Sequence, residues 1–140
     1  MANPAFSTRY RLPDGRYAVD VTENKTLAAE DSGLVQNVTV ASVVLTLPAV
    51  ATQGSWTIRD GGVKGTSAAY GAKTVPAYPK VDPNTSDTVA GLNVEGTEAD
   101  GKYLVNTDGR IGDEVTIANT GATNGGIIVA PTIGDWAREA

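Results

Sequence analysis

Histidine and cysteine are both absent from the 140 residues of this chain. Without cysteine there is no disulfide framework and no thiol chemistry, and the redox compartment leaves no mark on the sequence. Without histidine the commonest general base, the commonest transition-metal ligand and the usual pH switch disappear together. Aromatic residues are only 6% of the chain and charged residues only 19%. So few aromatics argue against a sugar cleft, and a formal net charge of −5 argues against a nucleic-acid partner, which needs a basic face for phosphates. No apolar run approaches the ~20 residues of a membrane span. The opening stretch from Met1 to Gly15 carries no apolar core of a secretory signal. The expectation is a soluble protein made without an export label.

What the chain does have is glycine, proline and small or β-branched apolar residues: 16 Gly, 7 Pro and a hydrophobic share of 41%. That balance favours short strands joined by tight turns. Val43, Leu45 and Leu47 alternate with Val44 and Thr46 before Pro48 stops the run. Trp56 and Ile58 alternate in the same way with Ser55, Thr57 and Arg59, and Val115 with Ile117 later. Period-two alternation puts one face of each strand on a core. The spacing predicts strands over Thr26–Ala28, Leu34–Val40, Val43–Leu47, Ser55–Arg59, Thr74–Val81, Thr88–Leu92, Lys102–Asn106, Asp113–Ala118 and Gly126–Ala130. Pro76 and Pro79 demote the Thr74–Val81 run to an edge or a loop crossing, because proline donates nothing to a ladder. Gly61 to Gly71 reads as a surface loop, and Trp136 to Ala140 as one helical turn or a frayed end. The fold class is therefore all-β: a single compact sandwich or barrel-like domain over 22–140, preceded by an extended amino-terminal arm over 1–21.

Motifs that carry chemistry are missing. Asp82 to Asp87 superficially suggests a calcium loop, but Asp87 and Asn93 stand where glycine and glutamate are needed. Asp108, Asp113 and Glu114 read as solvated turn residues, since strand alternation sends neighbours to opposite faces. There is no Gly-x-Ser-x-Gly elbow and no Ser-x-x-Lys pair, and Gly61 to Thr66 misses the phosphate-loop spacing. No catalytic, cofactor-binding or metal-ligating residue is assigned. The leader is the exception in texture. Phe6, Arg9, Tyr10, Arg11, Arg16 and Tyr17 mix aromatics with positive charge and follow no strand or helix period, a combination favoured at contact surfaces.

Read in order, Lys25 to Gly33, Leu45-Thr46-Leu47-Pro48-Ala49, Trp56-Thr57-Ile58, Val81 to Asn84, Asp87 to Gly91, Gly112 to Ile117 and Gly134-Asp135-Trp136 resemble a β-rich module of tailed-bacteriophage structural proteins. The start Met1-Ala2-Asn3-Pro4-Ala5-Phe6 is similar to that of some phage head decoration, or capsid cement, proteins. The chain departs from that pattern by an insertion over Gly62 to Pro79 and at its carboxyl end, which lacks the usual tryptophan-containing final strand before Gly134-Asp135-Trp136. The resemblance implies a virion protein on the outer capsid surface, made in the host cytoplasm. It implies the major capsid protein as partner, a homotrimeric state, and no enzymatic activity, cofactor, small-molecule substrate, nucleic acid or membrane. The six leader residues are then the expected capsid contacts. A receptor- or glycan-binding module of a tail or head fibre is the alternative.

Overall fold

The computed structural model describes residues 9–49, 51–64, 73–83, 89–90, 103–107, 109–119 and 126–138. Along the chain run β1 (Tyr10–Arg11), β2 (Tyr17–Val21), β3 (Lys25–Thr26), β4 (Val35–Val38), β5 (Val44–Thr46), β6 (Gly54–Asp60) and β7 (Val63–Lys64). There follow β8 (Lys73–Val75), β9 (Lys80–Asp82), β10 (Val89–Ala90), β11 (Leu104–Asn106), β12 (Glu114–Asn119), β13 (Gly126–Ile133) and β14 (Trp136–Arg138). A 3-10 turn at Ala29–Asp31 is the one helical element among the described residues. A seven-stranded sheet has the order β1-β2-β4-β6-β12-β13-β10, a five-stranded sheet the order β14-β11-β9-β5-β3, and β7 pairs with β8 alone. The chain crosses from one large sheet to the other at each step from β2 to β6. Successive strands of the same sheet are therefore parallel (β2 with β4, β4 with β6, β3 with β5) rather than joined as hairpins.

The two sheets face each other across one apolar core. Val21, Val38, Trp56, Ile58, Val115 and Ile117 of the large sheet meet Leu45, Val81, Leu104 and Trp136 of the smaller one, with Leu27, Val43, Leu47 and Ala77 closing the flanks. These are the positions the alternation picks out, and Leu45, Trp56 and Ile117 are all fully buried. The indole N–H of Trp56 donates to the Ala28 carbonyl at 3.0 Å, which satisfies its polar end inside the core. Lys25 ties the sheets together. Its Nζ on β3 donates to Gln36 Oε1 on β4 at 2.8 Å and pairs with Asp31 at 3.2 Å.

Asp60 organises one end of the sandwich. Its buried carboxylate accepts the backbone N–H groups of Gly62 at 2.9 Å and Ala77 at 2.8 Å. Its own N–H donates to the Asp113 carbonyl and its carbonyl accepts from Gly112. One side chain thus anchors the segment between β8 and β9, where Pro76 and Pro79 interrupt the run as anticipated. Tyr78 in that segment has φ 51° and its ring lies against Gly109, where a Cβ would come within 2.4 Å of it.

Three expectations change. The predicted arm is not separate from the domain from Arg9 onward: β1 and β2 are ladder strands of the large sheet, Tyr10 opposite Ala18 and Val19 opposite Gln36. Tyr17–Val21 is short and runs parallel to a strand reached only after a crossover, so no local pattern marks it as a ladder strand. Trp136 begins a strand rather than a helical turn, and is buried with its indole N–H donating to the Ile133 carbonyl at 3.1 Å. Asp113 and Glu114 are buried rather than solvated. Asp113 accepts the Asn106 amide at 3.0 Å and packs on Gly134, whose φ of +84° and missing side chain leave room for the carboxylate. Within the predicted surface loop, β7 at 63–64 pairs with β8; residues 65–72 lie outside the described ones, as do most of the Asp82–Asp87 turn and Asp108.

Candidate functional site

The amino-terminal hairpin is where the leader residues meet the sheet. Leu12 and Arg16 close it, with Leu12 N donating to Arg16 O at 2.7 Å and Gly15 N to Leu12 O at 2.9 Å. Beneath it, alternation sends every second residue of the large sheet outward. In register across four strands, Asp20 on β2 stands beside Asn37 on β4, Asn37 beside Arg59 on β6, and Arg59 beside Glu114 on β12. Thr57 and Thr116 pair one step along, their hydroxyls 2.8 Å apart. The outer face therefore carries a polar row, with β1 and β2 at its edge and Arg16 of the hairpin turn reaching over it to Glu114.

Two polar clasps hold the hairpin there. Arg16 Nη1 and Nη2 donate to the two oxygens of Glu114 at 2.9 and 2.7 Å, a bidentate pair between residues 98 apart in sequence. Arg16 Nε and backbone N–H also reach Asp14, at 2.8 and 3.0 Å. The Glu114 hydrogen bonds, then those of Asp14, raise the pKa of Arg16, and hydrogen bonds from Arg16 hold the exposed Asp14 carboxyl below its usual range. At the other clasp, Tyr10 Oη donates to Asp20 Oδ1 at 2.6 Å, while Asn37 Nδ2 donates to both at 3.1 Å. Burial, reinforced by the bond to Asp20, pushes the Tyr10 phenol up to about 12.

The six predicted contact residues separate by role. Arg16 is committed inward. Tyr10 has its hydroxyl engaged while the residue stays 38% exposed. Tyr17 is 45% exposed, with the Arg9 guanidinium 5.1 Å from its ring centroid in a cation–π stack. Arg11 sits on β1 opposite Tyr17 and is exposed. Phe6 lies outside the described residues. The structure so gathers Arg9, Tyr10, Arg11 and Tyr17 on one hairpin whose outer strand, β1, is an edge of the large sheet. The sequence reading assigns no site role to Asp20, Asn37, Arg59 or Glu114. Arg59 and Glu114 do occupy outward positions of alternating strands, but only the register shows them side by side. No group of three acidic, histidine or cysteine side chains suited to a metal ion occurs among the described residues, and no helix there is long and apolar enough to cross a membrane.

No family model matches the chain, and neither does any curated protein or solved structure.

Proposed function

We propose that this protein is a structural virion component, a capsid cement that binds the outer surface of a phage head and bridges its subunits. The observation that carries the reading at the level of the site is the exposed edge hairpin bearing Arg9, Tyr10, Arg11 and Tyr17. It presents two aromatic rings and two guanidinium groups on a support held rigid by the Arg16–Glu114 and Tyr10–Asp20 clasps. Aromatics and arginines are the side chains that dominate binding energy at interfaces, and a prefixed surface loses less entropy on binding than a flexible arm. The sequence resemblance supplies the virion context.

The mechanism needs no bond-breaking chemistry. A protein that binds only the assembled shell adds its binding free energy to that shell by linkage. If it bridges neighbouring subunits, separating them also breaks its contacts, and bridging opposes the outward pressure of packaged DNA. A homotrimer would seat on a three-fold or quasi-three-fold junction and multiply weak single contacts through effective concentration. The test is cosedimentation of the full chain with bare heads of the virion it comes from, in parallel with host cells. Saturable binding to heads, with the heads then resisting heat or osmotic rupture, is the expected result. Binding to cells alone would overturn the reading in favour of a receptor- or glycan-binding module.

A further inference from the structure

Each carboxylate around the hairpin already has its partner. Asp14 accepts from Arg16 on both oxygens, Glu114 accepts from Arg16 on both oxygens, and Asp20 accepts from Tyr10 and Asn37. Arg59 stands in the middle of the row, between Asn37 and Glu114, and has been left without one. Among the described residues no hydrogen bond or ion pair reaches its side chain, and its Nε is buried with no acceptor. Cross-strand pairing would ordinarily give it Glu114, but Arg16 occupies that carboxylate.

The surroundings leave the guanidinium available. Arg59 is half-buried, so its stem is held while the Nη end is not enclosed. Gly112 lies beside it, where even an added Cβ would stop 4.0 Å from Nη2, so that residue does not crowd the fork. A guanidinium stays charged and presents its donors in a flat fork that matches two oxygens of a carboxylate.

We propose that Arg59 is the seat for one planar oxyanion, a carboxylate contributed by an acidic side chain of the partner surface. The site rests on the capsid reading only for the source of that carboxylate. The arginine fork grips two oxygens, and the Tyr10 and Arg16 clasps on either side fix the depth at which a partner residue can enter. Arg59 thereby becomes the polar anchor of the contact, with Tyr10 beside it on the same face; Arg11 and Tyr17, with Arg9 stacked on Tyr17, stand on the other side of β1 and β2.

The site is tested on the isolated full chain by following arginine side-chain N–H resonances while titrating sodium acetate, inorganic phosphate and, at matched ionic strength, sodium chloride. Acetate should move the Arg59 resonance saturably, with a Kd on the order of 1 mM or weaker as expected of a single contact. Arg59→Gln should abolish the response while the Arg16 resonance stays in place, showing the clasp and fold intact. Arg59→Lys should weaken it, since an ammonium lacks the fork. A shift no larger with acetate than with chloride overturns the site, and phosphate binding far tighter than acetate overturns the carboxylate assignment in favour of free phosphate. On bare heads, Arg59→Gln should bind at least tenfold more weakly than the unaltered chain. Equal binding of the two would sink the Arg59 proposal and leave the capsid reading standing, whereas no binding by the unaltered chain would sink the capsid reading and leave the acetate result standing.

Discussion

Glu114 is only 7% exposed, and its two oxygens are occupied by a guanidinium from the far end of the sequence. Replacing Arg16 with alanine strips that carboxylate of its bidentate partner and leaves it only its cross-strand neighbour Arg59 to turn to. A fully buried pair broken in this way costs about 3–5 kcal/mol; with the Arg16 side chain 40% exposed the loss should be nearer ~1–2 kcal/mol after discounting for solvent screening. Denaturant midpoints at constant slope measure it, and Arg16→Ala with Glu114→Gln should recover part of the loss because no charge is then stranded. Gly134 is constrained twice, by its φ of +84° and by Asp113, which a Cβ would meet at 2.2 Å. Gly134→Ala should therefore cost at least ~2 kcal/mol, from left-handed backbone strain and displacement of a hydrogen-bonded carboxylate. Tyr10 gives a pH signature. Burial and the bond to Asp20 push its phenol from the ordinary value near 10 up to about 12. The unfolded chain ionises first, so the stabilisation is complete below pH 10, and it falls away as pH rises from about 10 to about 12. Ultraviolet titration should show a late phenolate step that Tyr10→Phe removes.

At the scale of elements, the hairpin and β2 belong to the sandwich, and this alters what a truncation does. Removing 2–17 takes away β1, the first residue of β2 and the partner of Glu114. Such a protein should be measurably less stable, so loss of capsid binding in it would say little about contact residues. Removing 2–8 takes away none of the described strands and neither clasp. The informative variants are point changes on the exposed hairpin. Tyr17→Ala with Arg9→Ala removes the cation–π stack without touching Arg16 or Asp20. It should lower affinity for heads by tenfold or more if these are hot-spot residues, with the denaturant midpoint nearly unchanged. Equal loss of stability and binding would show the stack to be structural.

For the whole molecule, two sheets share one small core, so a charge placed there acts globally. Leu45→Asp or Ile117→Asp should abolish the cooperative unfolding transition, because an unpaired buried carboxylate costs several kcal/mol against a total of about 5–15. Circular dichroism, which for the unaltered chain should be strand-dominated, reads the outcome. Light scattering at micromolar concentration tests the proposed trimer. A monomer both free and on particles would remove three-point attachment from the mechanism, and binding strength would then have to come from one hairpin alone.

The amino-acid sequence by itself determined the class of fold and most of its core. Val43, Leu45, Leu47, Trp56, Ile58, Val115 and Ile117 alternate locally, and a strand's two faces follow from the geometry of the backbone without reference to anything distant. The same locality explains the break at Pro76 and Pro79. Tertiary structure decided which strands are neighbours, and with that everything at the candidate site. Arg16 and Glu114 are separated by 98 positions, and the row from Asp20 through Asn37 and Arg59 to Glu114 draws on four strands joined by crossovers between sheets. No local pattern encodes such register, because it is set by how two sheets bury one another's apolar faces. For that reason the leader's arginines look alike in the sequence, while in the fold Arg16 is locked onto a buried carboxylate and Arg59, unremarked among its alternating neighbours, is left with an open fork.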